Sequence, residues 1–342
     1  MTTHRASREP PFAVVCFLLW LSLLWLSLGT LHGCGDPTLP SQVTTPLDIP
    51  AGVYERREPL RLTTADSALL GATNGLTELR FLEPCPRDGC IQLAGPQLKL
   101  TNLKVYVPSG PAIVIRNGHR ISVRSVYLRR SDDARGPALS VEESSDVLLS
   151  DIVADAGGGT AVVVERSRRV VLERSDLRDA WVGLGVYGTE AMDVVTSRFE
   201  ENAIGIELGR QAQPASLLRL ERNSVRNNNR SHPIAGQTGG VGIRLADADQ
   251  IEINDNEIAD HATAALIVGT LGALRLDANQ LHHEAQPLLL QGPSIGDPTQ
   301  GRVDARWCIS QSWLTTEALR QRPEIVTGDC PIETLPTLAL AL

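Results

Sequence analysis

Five side chains equipped for chemistry recur through the middle of the chain: Glu142, Glu165, Tyr187, Glu207 and Arg244. Paired carboxylates can hydrogen-bond sugar hydroxyls or work as an acid and a base, and a tyrosine ring can stack on a sugar. A second set falls in turns. Asp179, Glu201, Asn227, Asp260 and His283 repeat at one position, with Asn202, Asn228, His261 and Glu284 one residue further. Aligned Asp, Asn and His could hold calcium or a transition metal, and Asp260, His261 and His283 are the candidates. Plainer readings stand beside both. Outward strand positions are polar because water faces them, and Asn and Asp populate turns for backbone reasons.

What positions these residues is a repeat. From about Gly110 to Leu290 one pattern returns at intervals of roughly 22 to 26 residues, as in a solenoid. In successive segments an apolar pair encloses one variable residue: Leu139/Val141, Val162/Val164, Leu184/Val186, Ile206/Leu208 and Ile243/Leu245. That is strand periodicity, one face in and one out. The five candidates ride the outward positions, and Gly185 beside Tyr187 is expected to leave a shallow groove. A second strand repeats the logic with Val170/Leu172, Met192/Val194, Leu218/Leu220 and Ile251/Ile253. Then comes a column reading Ile152, Ser175, Ser197, Asn223, Asn256, Asn279, which predicts a stacked polar ladder inside a turn. Two residues on lies an apolar column, Ala154, Leu177, Phe199, Val225, Ile258. One coil therefore supplies three strand segments around one core, and stacked coils pair in parallel. Helical repeats do not fit a spacing of two. A propeller needs a longer repeat and antiparallel blades.

These coils, and the opening LDIPAGVYERREPLRLTTADSALLGA with its IPAG-x-Y run, resemble right-handed parallel β-helix proteins of the pectin-lyase-like superfamily. The resemblance covers roughly 47–291. It implies an all-β fold, a right-handed parallel β-helix (a single-stranded solenoid) with a C-terminal cap. It does not fix activity, because the superfamily holds lyases, hydrolases, epimerases, esterases, adhesins and binding modules. No lyase-like carboxylate cluster with an Arg or Lys base matches. Asp132-Asp133 and Gly118-His119 stand in the reverse order to the hydrolase motifs, whose other parts are absent, and Asp-Pro-His is absent too. The Asp132-Asp133 pair reads as a solvated turn.

The chain has 342 residues, 4% aromatic, and a formal charge of -8. The aliphatic composition suits a narrow core. The acidic balance argues against nucleic acid as a partner. Arg5 and Arg8 precede an apolar run from Phe12 to Leu31, followed by Leu-His-Gly-Cys ending at Cys34. This reads as an export signal and resembles the lipobox of bacterial lipoproteins, which implies a lipid on Cys34. An uncleaved signal anchor is the competing reading. The expected organisation is a signal peptide over 1–33, a lipid-anchored linker over 34–45, the β-helix over 46–291, and a cap and tail over 292–342. Of the remaining cysteines, Cys85 is expected to pair with Cys90 across a PRDG turn, and Cys308 with Cys330 in the cap. Unpaired thiols are the alternative. Together these features read as a cell-envelope, membrane-tethered protein whose partner is polysaccharide or another envelope glycan. Binding without catalysis leads. A polysaccharide lyase or hydrolase is the second reading, and a protein-contacting adhesin or scaffold the third. No resident cofactor is expected, with calcium the one a turn site could take.

Overall fold

The structure is a computed structural model. It describes residues 39–131, 136–209, 215–233, 238–246, 248–269, 271–283, 286, 288–290, 307–309 and 325–327. The chain divides into two units, Met1–Leu39 and Pro40–Leu342, and the coils belong to the second. The export signal, Cys34, Asp132-Asp133 and Cys330 lie outside the described residues.

Among the described residues every element is a strand. The expected parallel β-helix is what the chain forms. One sheet, here sheet A, stacks eleven strands from Gln42–Val43 to Leu288–Leu290. Its strands are the first apolar pairs of the sequence, and each pairs in parallel with the next coil: Leu139 opposite Val162, Val162 opposite Leu184, Leu184 opposite Ile206, Ile206 opposite Ile243. The other sheet, sheet B, carries the second and third segments of each coil. Long strands such as His119–Arg130 and Ser145–Asp155 run through a bend that later coils split into two, as in Arg168–Glu173 and Asp176–Arg178.

The bend has one cause throughout. Asn102, Ser125, Asp151, Arg174, Thr196, Arg222, Asp255 and Ala278 all take left-handed conformations, with φ between 48° and 56°. Such a φ is unfavourable for most residues and persists only where the surroundings hold it. From Arg174 onward the residue immediately after the bend does so. Ser175 Oγ accepts from the Ile152 amide at 3.1 Å, and Ser197 Oγ from the Ser175 amide at 3.1 Å. Asn223 Oδ1 accepts from the Ser197 amide at 2.9 Å, and Asn256 Oδ1 from the Asn223 amide at 2.9 Å. The predicted polar ladder is therefore present, with Asn279 closing onto Asn256 at 3.0 Å.

The core between the sheets is aliphatic. Leu184, Ile206, Leu218, Leu220, Phe199 and Ile243 are wholly buried. Each such side chain contributes about 1.5–3 kcal/mol relative to exposure. Strand pairing does not stop where the sequence repeat fades. Trp307–Ile309 pairs in parallel with Leu274–Leu276, and Ile325–Thr327 pairs with Trp307–Ile309. Sheet B thus extends past residue 291, the expected end of the coils. Short three-residue strands separated by long insertions carry too little periodicity to be seen in sequence. Near the other end, Cys85 and Cys90 form the expected disulfide, Cα to Cα 4.9 Å.

Candidate functional site on the outer face of sheet A

The five candidates occupy two neighbouring columns, not one. Gly185, Glu207 and Arg244 stand opposite one another on successive coils. Glu142, Glu165 and Tyr187 form the adjacent column. Gly185 joins the two. A Cβ there would lie 2.9 Å from the Tyr187 ring and its hydroxyl, so the ring lies across the glycine toward the other column. The expected shallow groove is filled by Tyr187 itself.

Tyr187 Oη then donates to Glu207 Oε2 at 3.1 Å. Arg244 Nη1 donates to Glu207 Oε1 at 3.2 Å, and Arg244 Nη2 to the Thr238 carbonyl at 2.6 Å. The Arg244 guanidinium is 5% exposed and its Nε has no partner among the described residues. Thr238, at the end of the long loop that interrupts the repeat, thus meets the Arg244 guanidinium. Burial, and then the Glu207 carboxylate, push the Tyr187 phenol above its ordinary pKa. It stays protonated and acts as a donor, not as a base.

The other two candidates are held apart. Arg116 donates to Glu142 Oε2 through Nε and Nη2 at 2.9 and 2.7 Å. Asp88, in the loop closed by the disulfide, takes the third arm of Arg116 at 2.6 Å. Glu165 sits opposite Tyr187 and meets Arg166 at 3.4 Å. The structure thus brings together Tyr187, Glu207 and Arg244, and gives Glu142 to a separate ion pair.

The turn residues divide as sharply. Asp179, Glu201, Asn227, Asp260 and His283 are all left-handed corner residues, φ between 50° and 63°. Ala180, Asn202, Asn228 and His261 point inward and form a second ladder, and Glu284 lies outside the described residues. Asn202 Oδ1 accepts from the Ala180 amide at 3.0 Å, Asn228 Oδ1 from the Asn202 amide at 3.1 Å, and His261 Nδ1 from the Asn228 amide at 3.3 Å. His261 lies inside, 2% exposed, whereas Asp260 and His283 meet outside at 3.2 Å. The three metal candidates therefore do not converge. Among the described residues no group of three or more His, Cys, Asp or Glu side chains is placed to hold a metal.

One array escaped the sequence reading. On the outer side of sheet B, Asp193, Arg219, Glu252 and Arg275 stand in register on successive coils. Asp193, Arg219 and Glu252 are buried, and Arg219 Nε meets Glu252 Oε2 at 3.3 Å. Charges of alternating sign at the residue enclosed by the second-strand pairs from Met192/Val194 onward were the available signal.

A family model described as the right-handed β-helix region matches residues 89–281. No curated protein matches the sequence. In shape the chain is similar to the A-module of mannuronan C-5 epimerase AlgE6 from Azotobacter vinelandii. The two are 15% identical, with a TM-score of 0.56 over 78% of this chain and 76% of that one. It is also similar to the enzymatically active domain of tailspike protein 2 from bacteriophage CBA120. There the identity is 11% and the TM-score 0.57, over 82% of this chain and 46% of that one. At these identities the likeness is one of fold.

Proposed function

The chain belongs to the right-handed β-helix family, and from that premise we propose that it is an exported, membrane-tethered envelope protein that binds polysaccharide along the outer face of sheet A without turning it over. The observation that carries the binding-only reading is the closed hydrogen-bond set of Tyr187, Glu207 and Arg244. The hydroxyl is committed as a donor and the carboxylate accepts from two groups. A proton-abstracting base needs an open acceptor within reach of substrate, and this trio offers a pre-ordered polar surface instead. A polysaccharide ligand is supported by the similar epimerase module, which acts on mannuronan. The tether rests on the N-terminal Arg5, Arg8 and apolar run, with Cys34 as the lipid acceptor.

Glycan-array retention of the protein, with mass analysis of each retained glycan, tests this reading. Retention with unaltered glycan, lost in Tyr187→Ala and Glu207→Ala while the fold survives, is the expected result. A shortened, unsaturated or epimerised product would make the protein an enzyme. Retention unchanged in both variants would remove sheet A as the binding face.

A further inference from the structure

We propose that a groove at the bend of sheet B is a binding site for a neutral sugar unit, distinct from the face of sheet A. The groove is open and has a volume of about 610 Å³, within the range of small-ligand sites. Its floor is built by the left-handed bends of three coils, at Asn102, Ser125 and Asp151. Segment 72–77 forms its wall, and Leu76 in that wall is 57% exposed. Tyr127 lies in register between Lys104 and Val153, and the Lys104 ammonium stands 5.8 Å from the ring centroid. All these residues belong to sheet B or the segment leading into it.

What separates this groove from the sheet A face is uncommitted hydrogen-bonding capacity. In the sheet A trio the Tyr187 hydroxyl and both Glu207 oxygens are already engaged. Here the Asn102 amide, the Ser125 hydroxyl and the Tyr127 hydroxyl have no partner among the described residues. An aromatic ring and aliphatic groups beside unmatched amide and hydroxyl groups suit a sugar, which has an apolar ring face and a hydroxyl edge. Both charges in the groove are already matched. Lys104 Nζ meets Glu78 Oε2 at 3.0 Å, and Asp151 Oδ1 accepts from Arg174 Nε at 3.0 Å. A uronate carboxylate would enter beside Asp151 and compete with the buried Glu78 for Lys104. A neutral sugar meets neither obstacle, and its hydroxyls can use the remaining lone pairs of Asp151.

The test is isothermal titration of the full-length chain with cellotriose, maltotriose, mannotriose and xylotriose, and with trimannuronate. It is repeated with Tyr127→Ala, Tyr127→Leu and Asn102→Gly, and with Tyr187→Phe as a control on sheet A. Glycine keeps the left-handed φ of 56° at position 102, so Asn102→Gly removes the amide without straining the bend. Expected is saturable binding of at least one neutral trisaccharide, weakened tenfold or more by Tyr127→Ala, several-fold by Asn102→Gly, and not by Tyr187→Phe. Circular dichroism identifies any Tyr127 variant that fails to fold, in which case Asn102→Gly decides. No saturable neutral binding, tightest binding of trimannuronate, or wild-type affinity in every folded groove variant would overturn the proposal. Loss confined to Tyr187→Phe would also overturn it, while leaving the sheet A reading standing.

Discussion

His261 takes the place of an asparagine, and its protonation should loosen the coil it serves. In the inner ladder each Asn uses Oδ1 as an acceptor for the preceding coil's amide. Its Nδ2 donates to a carbonyl of that coil: Asn202 to Leu177 O at 3.1 Å and Asn228 to Phe199 O at 3.0 Å. His261 does both with a ring. Nδ1 accepts from the Asn228 amide at 3.3 Å, and Nε2 lies 3.1 Å from Val225 O. Only the neutral Nε2–H tautomer satisfies both contacts. Burial pushes the imidazole down to about 4 from an ordinary value of 6.5. With the folded value depressed, the unfolded chain binds the proton first, so stability falls as pH drops from 6.5 toward 4. The loss works out at about 1.4 kcal/mol at pH 5.5 and about 3 kcal/mol at pH 4. The perturbation is His261→Asn, which restores the ladder chemistry and removes the titration. Urea unfolding of both proteins at pH 7.5, 5.5 and 4 cancels the carboxylates they share. The difference between them should open by those amounts in favour of the variant. Parallel pH profiles would refute a buried neutral ring at this position.

Other parts of the molecule give sharp expectations. Gly185→Ala should evict the Tyr187 ring, because the new methyl would sit 2.9 Å from it; the Tyr187–Glu207 hydrogen bond should be lost, visible as a phenol titrating nearer its ordinary range. Asn256→Ala should cost about 3 kcal/mol or more in thermal unfolding, since Asn256 is buried and serves the Asn223 amide and the Leu220 carbonyl together; a loss under about 1 kcal/mol would mean that water replaces it. A double-mutant cycle on Arg219 and Glu252 should return coupling above about 1 kcal/mol, as expected for a pair 6% and 7% exposed; additive losses would show that the buried contact carries nothing.

The fold was legible because period-two apolar pairs and a column of Ser and Asn each have one physical reading once they recur. Val162/Val164 and Asn256 leave little choice of face. The site was less legible for equally physical reasons. Which residues face outward follows from alternation, but which outward residues touch does not. Tyr187 reaches Glu207 by crossing from its own column to the next, and only the missing side chain at Gly185 permits it. Glu142 looked equivalent to Glu207, yet a partner one coil back, Arg116, captured it. His261 looked like a ligand because histidine so often is one. Its inward position one residue after a left-handed Asp260 makes it part of the ladder.

The ladders have a direction, and that direction sets how the molecule can be built. From Ile152 onward the amide after each bend is capped by a side chain from the coil that follows: Ser175 caps Ile152, Asn223 caps Ser197, Asn256 caps Asn223. A growing chain therefore always ends in an unfinished rung whose donor waits for residues not yet in place. Shortening from the back bares a backbone donor, and shortening from the front takes away the carbonyl to which the next rung donates, as Asn223 Nδ2 donates to Val194 O and Asn256 Nδ2 to Leu220 O. Each rung therefore ties two coils together, and losing either coil leaves the other with an unmatched polar group.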